Sequence, residues 1–166
     1  MISFDKLVAK TRGPNWTPPN TLLALDPGET TGWAVFLDGR LTSSGEIKYE
    51  SENQVLLDIY ELMKADRNDY VVAEDYRIYA HKKDSHTWDA LFTPKLLGAI
   101  QLICALEETP LILQMASTGK GFCKDHKLKI WGMYQEGQRH ARDAIRHGAH
   151  ALLFSEELGE RTLRER

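Results

Sequence analysis

The chain has 166 residues, 42% of them hydrophobic and 27% charged, with a formal net charge of −3. That length and apolar content suit one globular domain with a core of its own, and the near-neutral total gives no whole-chain preference for nucleic acid. No run of eighteen apolar residues occurs and the N-terminus lacks the apolar stretch of a signal peptide, so the sequence reads as a soluble, cytoplasmic protein with no membrane partner.

Residues 1–19, with Pro14, Pro18, Pro19 and Asn15, read as an irregular N-terminal arm whose Lys6, Lys10 and Arg12 are free for a partner or for solvent. "TLLALD" (21–26) reads as a buried strand, "GWAVFLD" (32–38) as a second and "RLTSSGEIKY" (40–49) as a third, with Asp38-Gly39 as a hairpin turn between the last two. "ENQVLLDIYELMKA" (52–65) has helical apolar spacing at Val55, Leu56, Ile59, Leu62 and Met63. "YVVAEDY" (70–76) suits a central strand. "TPKLLGAIQLICALEE" (93–108) predicts a helix with Thr93 as N-cap and Pro94 at the first helical position. "PLILQM" (110–115) follows as a strand, and "RHARDAIRHGAHALLF" (139–154) as a closing helix. Residues 155–166 read as a polar tail. Three antiparallel strands followed by alternating helices and strands predict a mixed sheet with helices on its faces.

Charge is unevenly spread. Residues 38–75 hold ten acidic and four basic side chains, whereas residues 117–147 hold seven basic and three acidic ones. A basic second half can follow a phosphate backbone while an acidic pocket holds cations, although a solvated helix face has the same composition. Cys104 falls in the apolar helix and Cys123 in a Gly- and Lys-rich loop; with no C-x-x-C pair, both are expected to be free thiols.

Two carboxylates stand out. Asp26 ends the first strand, just before a Pro-Gly turn, and Glu74 lies near the end of the fourth. If those strands are parallel neighbours, both side chains meet at the sheet edge where α/β proteins bind ligands. A buried strand ending in an acid is costly unless a cation or hydrogen-bond donors compensate it. Taken singly, Asp26 also suits a turn cap and Glu74 a solvated strand end. In "RHARDA", His140 and Asp143 stand three apart, on one helix face. That pair suits either an ion pair with Arg139 or Arg146, or two ligands aimed at one metal site. With Asp26 and Glu74 it makes a four-residue set whose hard oxygen donors favour Mg²⁺ or Mn²⁺ over zinc.

"LALDPGETTGWAVF", "YVVAEDY" and "RHARDA" resemble, in order, the three signature blocks of the RuvC-type Holliday junction resolvases, including phage-borne relatives, within the RNase H-like nuclease superfamily. The resemblance spans residues 20–154. It implies an α/β, RNase H-like fold with a mixed five-stranded sheet and helices on both faces. It implies a metal-dependent endonuclease that resolves four-way DNA junctions in recombination and repair, in a bacterial or phage-infected cell, leaving 5′-phosphate and 3′-hydroxyl ends. By the same resemblance Asp26, Glu74, His140 and Asp143 are the catalytic and metal residues, binding two Mg²⁺ or Mn²⁺ ions per site. "STGKGFCK" resembles the family's Gly- and Lys-containing segment, but its lysine spacing is shifted, which leaves the phosphate contact open among Lys120, Lys124 and Lys127.

Further DNA contacts are expected from "DYRIYAHKK", where Arg77, Lys82 and Lys83 accompany Tyr76 and Tyr79, cations and aromatics suited to open strands at a branch point or to an ordinary basic loop. Trp33, Phe36, Trp131 and Tyr134 are expected in packing roles. Paired cuts on a two-fold junction imply a homodimer, with Leu96, Leu97, Ile100, Leu102, Ile103 and Leu106 as its interface or, alternatively, as a well-buried helix. Other readings are a flap- or fork-directed nuclease of the same superfamily, a non-catalytic nucleic-acid-binding module, and a sugar-kinase-like phosphotransferase suggested by "DPGETTG". The last needs two such domains, for which 166 residues leave no room.

Overall fold

A computed structural model describes residues 2–65, 67–76 and 92–159. Among them lies one mixed sheet of order β3-β2-β1-β4-β5, with β1 Thr21–Asp26, β2 Thr30–Leu37, β3 Arg40–Lys48, β4 Tyr70–Asp75 and β5 Leu111–Met115. Its helices are α1 Phe4–Arg12, α2 Glu52–Ala65, α3 Phe92–Leu106, α4 Ala116–Phe122, α5 Asp125–Ile130 and α6 Arg139–Phe154. β1 is antiparallel to β2 and parallel to β4, as the carboxylate argument required. The expected α/β, RNase H-like arrangement is borne out.

All six residues of β1 are buried because both sheet faces are covered, which is why its sequence runs apolar without alternating. Period two still sorts the side chains. Leu22, Ala24, Ala34, Phe36, Tyr70, Val72 and Ile112 join one core cluster with Ala144, Ile145 and Leu152 of α6. Leu23, Leu25, Val71 and Ala73 join the other, with α2 and α3. By the same parity Asp26, Glu74 and Gln114 lie on the α6 face. Asp38 and Gly39 both have positive φ, as the expected hairpin turn demands.

Several expectations are corrected. The arm that should have been irregular contains α1, since its prolines cluster after Gly13 and leave residues 4–12 free to bury Phe4 and lean Leu7 and Val8 on the core. Phe92, where the described residues resume, is already helical, so Thr93 lies inside α3 rather than at an N-cap. The Gly- and Lys-rich segment is helical and Cys123 at its end is buried. Gly119 permits that helix to dock, for a Cβ there would lie 3.1 Å from the Cβ of Arg146. The polar tail opens with a 3₁₀ turn, Glu156–Gly159, that buries Leu158. Both cysteines are free, and burial pushes each thiol up to about 11. No helix among the described residues is long and apolar enough to cross a membrane.

Candidate metal and nucleic-acid site

Strand register builds the site. Gly32 pairs with Glu46, Asp26 with Gly32, and Glu74 with Gln114, while Leu25 opposite Ala73 sets Asp26 beside Glu74. One residue from each strand therefore forms a row across the sheet, in the order Glu46, Gly32, Asp26, Glu74, Gln114. α6 lies over this row. Its residues 140 and 147 are separated by about 10 Å along the helix at 1.5 Å per residue, close to two strand spacings of about 4.8 Å each. Two turns of helix thus carry one histidine to each side of the row.

At one side the His140 N–H donates to Glu46 Oε1 at 2.8 Å, and the His140 Nδ1 lies 2.8 Å from Asp26 Oδ2. With Asp26 ionised, Nδ1–H is the donor and Nε2 keeps a lone pair. Gly32 makes this approach possible: a Cβ there would sit 2.0 Å from the His140 carbonyl oxygen. At the other side His147 Nε2 lies 3.0 Å from Glu74 Oε2, and its Nδ1 lies 2.9 Å from Gln114 Oε1. Between them Asp143, 3% exposed, is paired through Oδ1 with Arg146 and lies 3.3 Å from Lys120 Nζ through Oδ2. Lys120 also reaches Glu74, at 3.8 Å. Arg146 is itself held by Asp125 and by the Cys123 carbonyl at 2.9 Å.

The two strand carboxyls titrate in opposite directions. Burial, and then the adjacent Glu74 charge, push Asp26 up to about 6 despite the hydrogen bond from His140. Burial also raises Glu74, but the His147 hydrogen bond and the Lys120 charge outweigh it and its value falls below the ordinary one. Asp26, Glu74 and Asp143 thus stand close together, and Lys120 lies between two of them as an internal cation. Three carboxylates with an imidazole fit a hard divalent ion. Among the described residues no three such side chains are already drawn into a coordinating group; Lys120, Arg146 and the two histidines hold them instead.

All four residues named from the sequence gather here. The lysines divide. Lys120 and Lys124 line a cavity of about 370 Å³ beside Asp143, together with Arg139, Arg142 and Arg146. Lys127 is turned away, donating to the Phe122 carbonyl at 2.8 Å with its Nζ over the Phe122 ring. Tyr76 packs against the α2–α3 core cluster. Arg77, Tyr79, Lys82 and Lys83 lie outside the described residues. The expected alternative of an Arg146–Asp143 ion pair is present, whereas sequence reasoning missed Glu46, Gln114 and His147; only the last left a plain signal, seven residues after His140 and so on the same helix face.

No protein-family model matches the chain, and a search of the curated proteins returned no match. Solved structures do match. RuvC from Thermus thermophilus in complex with a Holliday junction substrate aligns at a TM-score of 0.66, 15% identity, 82% coverage of this chain and 95% of that one. A second Thermus thermophilus RuvC structure aligns at 0.64, 16% identity, 84% and 97%. The yeast mitochondrial Holliday junction resolvase aligns at 0.55, 10% identity, 89% and 83%. The chain therefore has the fold of these resolvases over nearly their whole length.

Proposed function

We propose that this chain is a metal-dependent endonuclease that cleaves branched DNA and resolves Holliday junctions. The observation that carries the reading is the meeting of Asp26, Glu74, His140 and Asp143 on one face of a resolvase fold, where burial and then the Glu74 charge push Asp26 up to about 6. Mg²⁺ or Mn²⁺ bound by these four residues, two ions per site, would activate water and stabilise the leaving oxygen. Water oxygen then bonds to phosphorus, the bond from phosphorus to the 3′ oxygen breaks, and a proton ends on that oxygen. The products are a 5′-phosphate and a 3′-hydroxyl. Asp26 orients His140 through Nδ1, which leaves Nε2 to bind or to take the water's proton.

The DNA backbone passes over the basic cavity beside Asp143. Lys124 and Arg139 are exposed there, and the Nε of Arg142 is buried without a hydrogen-bond partner. Cations arranged next to an acidic centre can hold the phosphates flanking the one attacked.

The protein acts as a homodimer in this reading, because paired cuts need two sites. Leu96, Leu97 and Ile100 are buried in the monomer core, so the expected interface shrinks to Leu102 and Leu106, which are exposed on the same helix as the exposed Gly98. Space beside Gly98 is open, which allows a second helix to approach. In sedimentation, Leu102→Glu should convert a dimer to a monomer; a wild type that is monomeric with and without junction removes the dimer and favours a flap or fork substrate.

The deciding assay compares four-way junctions, flaps, forks and linear duplexes in Mg²⁺, Mn²⁺ and EDTA. Paired nicks on the junction, lost in EDTA, are expected. Cleavage that persists in EDTA, or binding without any cleavage, would sink the nuclease assignment.

A further inference from the structure

His147 has 0% exposure and is bonded at both ring nitrogens. It adds nothing to the surface. It is also an expensive way to fill a core position, because an imidazole demands two partners where a leucine demands none. The partners are Glu74 on β4 and Gln114, its cross-strand neighbour on β5.

Hydrogen-bond chemistry restricts what the ring can do. A carboxylate only accepts, so Nε2 must carry the proton that faces Glu74 Oε2. At Nδ1 the outcome depends on the Gln114 amide, whose Nε2 lacks a partner as placed. Rotating that amide by half a turn lets it donate to Nδ1 and leaves His147 neutral, without changing the proton at Nε2. In either arrangement Gln114 locks the ring and the ring locks one oxygen of Glu74.

We propose that His147, backed by Gln114, is a positioning residue for Glu74: it fixes the rotation of the carboxylate so that Glu74 faces Asp26 and Asp143 rather than solvent. The proposal rests on the nuclease reading above. Outer partners of this kind typically change metal affinity by 10- to 100-fold when removed. A freely rotating glutamate has several rotamers to lose on binding an ion, whereas the locked one has few.

The test is Mn²⁺ affinity of the DNA-free protein by calorimetry, with thermal melting and junction binding in EDTA alongside. His147→Leu should weaken Mn²⁺ binding by about 10- to 100-fold and leave junction binding in EDTA unchanged. His147→Gln, whose terminal amide can place an N–H near the position of the imidazole Nε2, should recover most of that loss. Gln114→Leu should weaken binding less than His147→Leu. A folded His147→Leu with wild-type affinity overturns the proposal, and so does a His147→Gln as impaired as His147→Leu. If His147→Leu does not fold, Gln114→Leu and His147→Gln decide: a merely structural role lowers their melting temperatures and leaves Mn²⁺ affinity untouched. Wild-type protein that neither binds Mn²⁺ nor cuts junctions overturns the nuclease reading; wild-type protein that does both, with insensitive variants, overturns only this inference.

Discussion

α6 meets the sheet through two carboxylate–histidine pairs that look alike in sequence and differ in physics. In the Asp26–His140 pair the carboxyl is the buried member and the histidine side chain is 38% exposed. In the Glu74–His147 pair the histidine is sealed and the carboxyl reaches outward, near Lys120. The first pair holds its charge under strain, with Asp26 raised by burial and by Glu74. The second has its charge stabilised, with Glu74 lowered overall. One site therefore contains a carboxylate that seeks a cation and another that is already held in place. If the cluster binds a cation as proposed, that division would let it fold before the cation arrives.

The sharpest way to break the comparison is to neutralise each acid. Asp26→Asn and Glu74→Gln should both reduce junction cleavage by about a thousandfold or more, since each removes several kcal/mol of ion binding or transition-state stabilisation. Their effects on metal-free stability should have opposite signs. Asp26 has a folded-state value near 6 against 3.8, so its ionised form subtracts stability, beginning as pH rises through about 4 and complete above about 6. Asp26→Asn should therefore stabilise the protein in EDTA at pH 7.5 by about 1–3 kcal/mol, and the gain should vanish below pH 4. Glu74 has a lowered folded-state value, so its ionised form adds stability that is present above the ordinary value and lost as pH falls through the folded one. Glu74→Gln should cost about 1–2 kcal/mol at pH 7.5, the scale of a hydrogen bond to a charged group. Melting curves that shift the same way for both variants would erase the distinction.

Placing an aspartate at each histidine sharpens the contrast further. His140→Asp puts a carboxylate at a part-exposed position where it can serve as a ligand, and cleavage in Mn²⁺ should stay within about tenfold of wild type if the imidazole only positions or binds an ion. An inactive but folded His140→Asp would assign proton transfer to the imidazole. His147→Asp buries an unpaired charge against Glu74 and should cost about 3–5 kcal/mol in denaturant unfolding. Equal tolerance at the two positions would mean that burial does not separate the pairs.

A smaller effect comes from the backbone that both pairs depend on. Gly32→Ala would place a methyl against the His140 carbonyl, forcing α6 from the sheet at its first turn. A loss of about 1–3 kcal/mol is expected, typical of overpacking. Cleavage should fall more than stability alone explains, because His140 moves before His147 does. A fully active Gly32→Ala would show that the site tolerates a displaced helix.

Much of this was legible before any coordinates. Apolar runs placed the strands, the ends of two of them placed Asp26 and Glu74 at one sheet edge, and the spacing of His140 and Asp143 put those two on one helix face. What escaped depended on register or on tertiary docking. Glu46 could not be aligned with Gly32 by counting from the hairpin, because a bulge between Val35 and Phe36 shifts the pairing. Arg146 finds Asp125 only because α4 and α5 fold back over α6, and two glycines in that stretch suggested a loop. α1 was hidden by the prolines that follow it. Leu97 and Ile100 could be read as interface because amphipathic spacing does not say what covers an apolar face.

The hold of α1 on α6 bears on when the site can exist during synthesis. Arg12 donates to the carbonyls of Leu152, Ala151 and Ser155 at 2.9, 2.7 and 2.7 Å, closing the end of the helix whose other end carries His140. Those contacts join an earlier-made segment to one made about 140 residues later. A nascent chain that stops before residue 139 has made the strands that carry Asp26 and Glu74 but none of the helix that completes the set. Each acid then stands at the open edge of a half-covered sheet, without the histidine that orients it. Translation order alone thus keeps the cluster unassembled until α6 has been made, and Arg12, made before it, is ready to fasten that helix's far end.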